Sequence, residues 1–152
     1  MARLAKIEDI DAIMSFASDR FAASSFSEDC RYNPLMFRAT LRAAIMTPSS
    51  CAIIDHRDGQ VCALLVGTCD PLPWSAAKVA TDIVFVATAH GNRCIGVFEQ
   101  WAKIKGAVRM YLSVSEPDDS GRIGRLFMAK GLQPTGGVYL KRFNAPAAQK
   151  AG

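Results

Sequence analysis

The sequence lacks the spacings of histidine and cysteine that metal sites and thiol-based active sites need. It contains only two histidines, and it has five cysteines, which is an odd number. None of the cysteines forms a C-x-x-C pair, and no cysteine–histidine spacing is typical of zinc. We therefore expect no metal ion, and we interpret the cysteines as free, mostly buried thiols in a reducing compartment.

Long apolar runs and blocks of like charge are also missing. No apolar run approaches the roughly 18 residues of a membrane span, and the acidic, amphipathic start is not typical of a signal peptide. We expect a cytoplasmic protein without a membrane partner. The net charge is +4, and the basic residues are scattered without a run of five or more, so a nucleic-acid partner is not expected.

The chain of 152 residues, half of them hydrophobic, suits one domain with one core. We assign residues 1–143 to that domain and residues 144–152, which offer nothing to bury, to a flexible C-terminal tail. Apolar periodicity predicts the element order β-α-α-β-β-β-α-β-α-β, which is a mixed α/β pattern.

Three segments of this prediction depend on turn-forming residues and short apolar runs. Residues 22–32 are predicted as a loop, and residues 70–78, with two prolines, as a surface connection. Residues 138–143, "VYLKRF", are predicted as a final strand after a "TGG" turn.

The stretch "VFVATAHGNRCIGVFEQWAKIKGA", residues 84–107, carries the first functional signal. An apolar strand enters a short polar loop with glycine and leaves as a helix. Such loops often hold phosphates, because a helix N-terminus presents unpaired N–H groups. A plain strand-to-helix connection is the alternative interpretation.

This arrangement resembles the GNAT acyltransferases, whose signature is a strand, a loop of the form R/Q-x-x-G-x-G/A, and a helix. The corresponding loop here is "GNRCIG". Gly91 stands where Arg or Gln is usual, Cys94 stands where the first glycine is usual, and Gly96 matches. The stretches "RLAKIEDIDAI", "FEQWAKIKGA" and "RLFMAKGLQPTGGVYLKRF" resemble the first strand and helix, the helix after the loop, and the closing elements of that family.

The combination of "ATDIVFV", "FEQWAKIKGA" and "YLKRF" is closest to small GNAT-like proteins found in bacteriophage genomes. The resemblance implies an α/β GNAT fold with a mixed central sheet of six to seven strands and about four helices. It also implies acetyl-coenzyme A as cofactor, an amine acceptor, and the cytoplasm of a bacterium or phage-infected cell. The oligomeric state stays open, with a homodimer as one alternative.

Cofactor contacts follow from the same resemblance. Backbone N–H groups of residues 92–96 would bind the pyrophosphate, with Arg93 adding a charge-assisted contact, and the strand before the loop would pair with pantetheine. The resemblance assigns cofactor contacts to Phe85, Val86, Ala87, Gly91, Asn92, Arg93, Cys94, Ile95, Gly96 and Phe127. Cys94 lies near a helix N-terminus, which would lower its pKa, but we interpret it as a small space-filling residue.

Asp82 is the candidate general base, because transfer of an acetyl group to an amine requires the amine to lose a proton. Period two places Asp82 on one face with Val84 and Val86, where partial burial would raise its pKa. A structural aspartate bonded to a neighbouring loop is the alternative.

Phe127 stands where this family commonly has a tyrosine that protonates the leaving thiolate, and phenylalanine has no such proton. Either coenzyme A leaves without a fixed acid, or another group serves. Trp74 and Tyr139 are predicted to bind the acceptor, although Trp74 could instead cap the core. Two functions remain: an N-acetyltransferase acting on a small-molecule or protein amine, and a catalytically degraded GNAT-fold binding or virion-associated module.

Overall fold

A five-stranded sheet forms the centre of the computed structural model, which describes residues 1–114 and 120–143. The strands are β1 (Arg3–Leu4), β2 (Ser50–Arg57), β3 (Gln60–Leu72), β4 (Ser75–Ala87) and β5 (Ala107–Tyr111). The helices are α1 (Ile10–Ala22), α2 (Phe26–Asp29), α3 (Pro34–Met46), α4 (Gly91–Ile104) and α5 (Arg122–Ala129), with a 3₁₀ turn at Ile7–Asp9. The strands lie in chain order; β4 and β5 are parallel and the other neighbours are antiparallel.

Helices cover both faces of the sheet, and strand alternation divides the apolar side chains between them. On one face, Ile54 and Leu64 pack with Ile13 of α1 and Leu41 of α3. On the other face, the neighbouring residues along the same strands pack with α4, in a cluster that includes Ile53, Leu65, Phe98 and Trp101. Both faces of the sheet carry apolar side chains because successive side chains of a strand point to opposite faces. Helices packed on both faces give the mixed α/β pattern that the sequence predicts.

Local sequence explains several element ends. The Asn33 side chain accepts a hydrogen bond from the Met36 N–H at 3.0 Å, with Pro34 at the first position of α3. Asp58 and Gly59 both have positive φ, 52° and 78°, in the turn between β2 and β3. This is the backbone that an Asp-Gly hairpin turn requires.

Three predictions about secondary structure are wrong. Residues 70–78 are not a surface connection, because β3 and β4 pair as far as Leu72 and Ser75 and leave a two-residue turn. A register irregularity beside Pro71 lets the ladder accommodate a residue without an N–H. Residues 22–32 contain the short helix α2.

The third wrong prediction is the strand at residues 138–143. This segment is exposed and forms no strand in the described structure, so the sheet has five strands rather than six or seven. Arg142 instead bonds to Glu28 and Asp29 of α2 at 2.9–3.1 Å, and strand-forming residues make a strand only where a ladder partner is available. The predicted tail, residues 144–152, lies outside the described residues.

A β-bulge in β4 changes which side chains share a face. Gly67 pairs with Asp82 and Val66 pairs with Val84, so Ile83 is an extra residue on β4. The prediction that Asp82 shares a face with Val84 is therefore wrong. Asp82 lies opposite Gly67 on the α4 side of the sheet, whereas Val84 packs with the α1 and α3 cluster.

We expect Gly67→Ala to destabilise the protein by about 1–3 kcal/mol, as overpacking of a core does. An added Cβ would lie 2.5 Å from Cε2 of Phe98 and 3.0 Å from the carbonyl oxygen of Thr81, and Phe98 is fully buried. Gly96→Ala is the control, because a Cβ there meets nothing within 4 Å and alanine favours a helix. Urea unfolding measures both variants; equal midpoints for Gly67→Ala and the unmodified protein would contradict this account.

Candidate active site

The parallel pair β4 and β5 separates part-way along β4. Their ladder runs from Lys78 opposite Ala107 to Thr81 opposite Tyr111, and β5 ends there. β4 continues to Ala87. From residue 82 to residue 87 the side of β4 that faces β5 has no strand partner among the described residues, so its backbone groups are available to a ligand.

Asp82 lies where the two strands separate. Its Oδ1 accepts a hydrogen bond from the Ser113 N–H at 2.9 Å, and the Ser113 Oγ lies 3.2 Å from Oδ1 and 3.1 Å from Oδ2. The side chain is only 8% exposed. Burial raises the pKa of Asp82 above its ordinary value, and the hydrogen bonds from Ser113 oppose part of that rise.

A cavity of about 1090 Å³ adjoins this carboxylate. Its walls come from β4, α4, β5, α5 and the segments after β5 and α5, and they include Asp82, Tyr111, Ser113 and Phe127. The Phe127 ring stacks on Phe85 of β4 with 6.2 Å between ring centroids. Of the predicted site residues, Asp82 and Phe127 are thus brought to the same cavity.

The predicted phosphate loop lies largely inside α4, which begins at Gly91. Only the first four N–H groups of a helix lack intrahelical acceptors, so Ile95 and Gly96 donate within the helix and the free donors precede them. The Arg93 N–H already donates to the His90 carbonyl oxygen at 2.9 Å. Among the described residues, no side chain caps this helix end.

The side chains of this loop divide between core and solvent. Cys94 and Ile95 are fully buried, and Asn92 is exposed. Gly96 faces open space, since a Cβ there would meet nothing within 4 Å. A Cβ on Gly91, in contrast, would lie 3.1 Å from Cβ of Ala87 and 3.3 Å from the Phe85 ring.

Arg93 is held by Asp55, a buried carboxylate that was not among the predicted site residues. Its Nη1 lies 3.5 Å from Oδ2 of Asp55 and 3.4 Å from Nδ1 of His90. The fully buried Asp55 also lies 3.0 Å from the Met1 ammonium. Burial acts to raise the pKa of Asp55, but the ammonium, the His56 N–H and Arg93 together bring it below its ordinary value.

The two predicted acceptor-binding residues lie at the surface. Trp74 forms the tip of the turn between β3 and β4 and is 82% exposed, and Tyr139 is 95% exposed. Neither lines the cavity beside Asp82. Their role in binding an acceptor stays a prediction.

Several polar residues that line this cavity were not predicted, among them Ser113, Glu99 and Lys103. Lys103 donates to Glu99 at 2.6 Å, and their spacing of four residues on a helix was the available signal. Ser113 lies two residues after the end of β5 and carried no signal in the sequence, because its partner lies 31 positions away.

Residues 1–114 and 120–143 contain neither a metal-binding cluster nor a membrane-spanning helix. No three acidic, cysteine or histidine side chains there are arranged to hold a metal ion. In the same ranges, no helix has the length and apolar character needed to cross a bilayer.

Similar proteins were found by structure and not by sequence. No sequence model of a known family matches the chain, and no curated protein matches it. A ribosomal-protein-alanine N-acetyltransferase from Brucella melitensis biovar Abortus 2308 superposes with a TM-score of 0.67 at 13% identity, over 95% of this chain and 99% of that one.

Two further solved structures also match over nearly the whole length of both chains. The aminoglycoside N-acetyltransferase AAC(6')-Iy in complex with CoA gives a TM-score of 0.68 at 12% identity, over 95% of this chain and 100% of the other. Glucosamine-6-phosphate N-acetyltransferase from Arabidopsis thaliana gives 0.70 at 10% identity, over 95% and 98%.

These structure neighbours are GNAT-family acetyltransferases, and the chain has their fold. The predicted α/β GNAT fold is confirmed, with five strands among the described residues in place of six to seven. At 10–13% identity the likeness establishes the fold alone, because one fold carries many functions.

We expect a thiol reagent to label one cysteine quickly in the native protein. Cys30 is exposed and the other four are buried. Burial raises the pKa of Cys94 to about 12, contrary to the lowering expected from its helix position, and does the same for Cys51. Iodoacetamide labelling with peptide mapping should therefore modify Cys30 first, and all five thiols only after denaturation. Rapid native labelling of Cys94 would contradict its placement in the core.

Proposed function

We propose that this protein is an acetyl-coenzyme A-dependent N-acetyltransferase acting on an amine of a small molecule or a protein. The observation that carries the proposal is the opening between two parallel strands beside a buried carboxylate. The unpaired side of β4 offers backbone groups, and Asp82 offers a proton acceptor where β4 and β5 separate.

The residues present fit coenzyme A in two places. Backbone groups of Phe85, Val86 and Ala87 would hold the pantetheine arm, because β5 does not pair with this part of β4. The first N–H groups of α4 would hold the pyrophosphate, with Gly96 leaving open space beside them. Bound there, the cofactor supplies an acetyl thioester. Arg93 would join the pyrophosphate only on leaving Asp55.

Asp82 would take the proton from the acceptor amine. An alkyl amine has a pKa of about 10 and is mostly protonated at neutral pH. A carboxylate accepts that proton better when its own pKa is raised, and burial raises the pKa of Asp82. The Oδ2 atom has a hydroxyl on one side and the cavity nearby, so it is the better placed of the two oxygens.

Position 127 supplies no proton to the leaving thiolate. Phe127 is buried and stacks on Phe85, so its ring serves packing in the wall of the cavity. A thiol pKa of about 8.5 makes the thiolate a tolerable leaving group without a fixed acid. The same residue favours the second candidate function, a degraded binding or virion-associated module. Similarity to bacteriophage proteins, a homodimer and a cytoplasmic location stay predictions.

Calorimetry with acetyl-coenzyme A tests the cofactor site. We expect Gly96→Glu to weaken binding more than tenfold, because a carboxylate there would occupy the open space and repel phosphate. Gln100→Glu is the matched control on the same helix, at an exposed position, and should change affinity less than about twofold. No binding by the unmodified protein at millimolar ligand would overturn the proposal.

A free-thiol release assay across a panel of amines tests the base. We expect Asp82→Asn to lower the rate by about a hundredfold or more, the usual scale for a general base, with cofactor affinity little changed. Glu99→Gln is the control, because Glu99 is a second carboxylate in the same cavity wall and should keep most of the activity. Full activity of Asp82→Asn would overturn the assignment. Coenzyme A binding without turnover of any amine would favour the degraded module.

A further inference from the structure

Contact between β4 and β5 continues past the end of their ladder through one side chain. The last ladder pair is Thr81 with Tyr111. Two residues further along, the Ser113 N–H donates to Oδ1 of Asp82 at 2.9 Å. In a continued parallel ladder the N–H groups on this side would donate to β4 carbonyl oxygens. A carboxylate of β4 thus accepts the bond that a backbone carbonyl would otherwise accept.

The Ser113 hydroxyl contacts both oxygens of the same carboxylate. Oγ lies 3.2 Å from Oδ1 and 3.1 Å from Oδ2 of Asp82. A hydroxyl carries one proton, so it donates to one oxygen at a time. With the N–H already on Oδ1, the carboxylate is fixed on the Ser113 side and keeps lone pairs of Oδ2 for another donor.

We propose that Ser113 is a positioning residue: its N–H and hydroxyl fix the orientation of the Asp82 carboxylate at the opening, with Oδ2 available to the acceptor amine. This inference rests on the proposed function. Ser113 itself touches no reacting atom and acts through Asp82.

Ser113 supplies two of the three hydrogen bonds that oppose the effect of burial on the pKa of Asp82, and the third comes from the backbone of Asp82 itself. Burial raises the pKa of Asp82, and the backbone and hydroxyl bonds of Ser113 lower it. Charged or titratable groups also line the cavity: Glu99 and Lys103 from α4, Arg109 and Tyr111 from β5, and Lys130 after α5. The pKa of Asp82 is set by burial and hydrogen bonds rather than by these charges. Removing the Ser113 hydroxyl should therefore raise the pKa of Asp82 further.

The kinetic test compares Ser113→Ala with Ser113→Thr. Alanine keeps the N–H and removes the hydroxyl, whereas threonine keeps both. Because the base must be ionised to act, Ser113→Ala should move the acidic limb of the kcat/KM profile to higher pH. On that limb the rate should fall about tenfold, the scale of one hydrogen bond to a charged group, and on the alkaline plateau it should stay within about threefold. The KM for acetyl-coenzyme A should not change, and Ser113→Thr should restore the profile.

A second measurement needs no substrate. Carbon-13 NMR titration of the aspartate carboxyl groups, with Asp82→Asn to assign the resonance, gives the titration midpoint of Asp82 directly. A higher midpoint in Ser113→Ala than in the unmodified protein and Ser113→Thr supports the inference, and equal midpoints in all three overturn it. If no amine is turned over, the proposed function fails, and the NMR comparison still decides what Ser113 does.

Discussion

The end of pairing between β4 and β5 is the constraint on which the candidate site depends. β5 ends at Tyr111, whereas β4 continues to Ala87 without a strand partner on that side among the described residues. Past the end of the ladder, the Ser113 N–H donates to the Asp82 carboxylate. This contact places a titratable group at the opening, beside the part of β4 whose backbone groups are unpaired.

The bulge at Ile83 decides on which side of the sheet that group lies. One extra residue on β4 reverses the alternation, so Asp82 stands opposite Gly67 on the α4 side although Val84 packs against α1 and α3. The absence of a side chain at Gly67 lets the Phe98 ring pack against the strand. Core packing and the orientation of the candidate base are thus parts of one local arrangement.

A second buried carboxylate stands at the other end of the candidate cofactor site. The Asp55 carboxylate contacts the Met1 ammonium and the Arg93 guanidinium and accepts a hydrogen bond from the His56 N–H. These partners stabilise its charge although the side chain is fully buried. Because Arg93 lies in the first turn of α4, this cluster fixes the helix end against β2. The stacked rings of Phe85 and Phe127 join β4, which carries Asp82, to α5.

Much of this architecture follows from the sequence by itself, and the rest required the folded chain. Short-range patterns determined the order of the main elements, the cap at Asn33 and the Asp-Gly turn, because neighbours in sequence decide backbone conformation there. Residue type alone marked Asp82 as unusual within an apolar strand. Only the tertiary structure decided its face, since a bulge is a relation between two strands, and only it revealed Ser113, whose partner lies 31 positions away. It also decided that residues 138–143 form no strand, because strand propensity acts only where a neighbouring strand offers its edge.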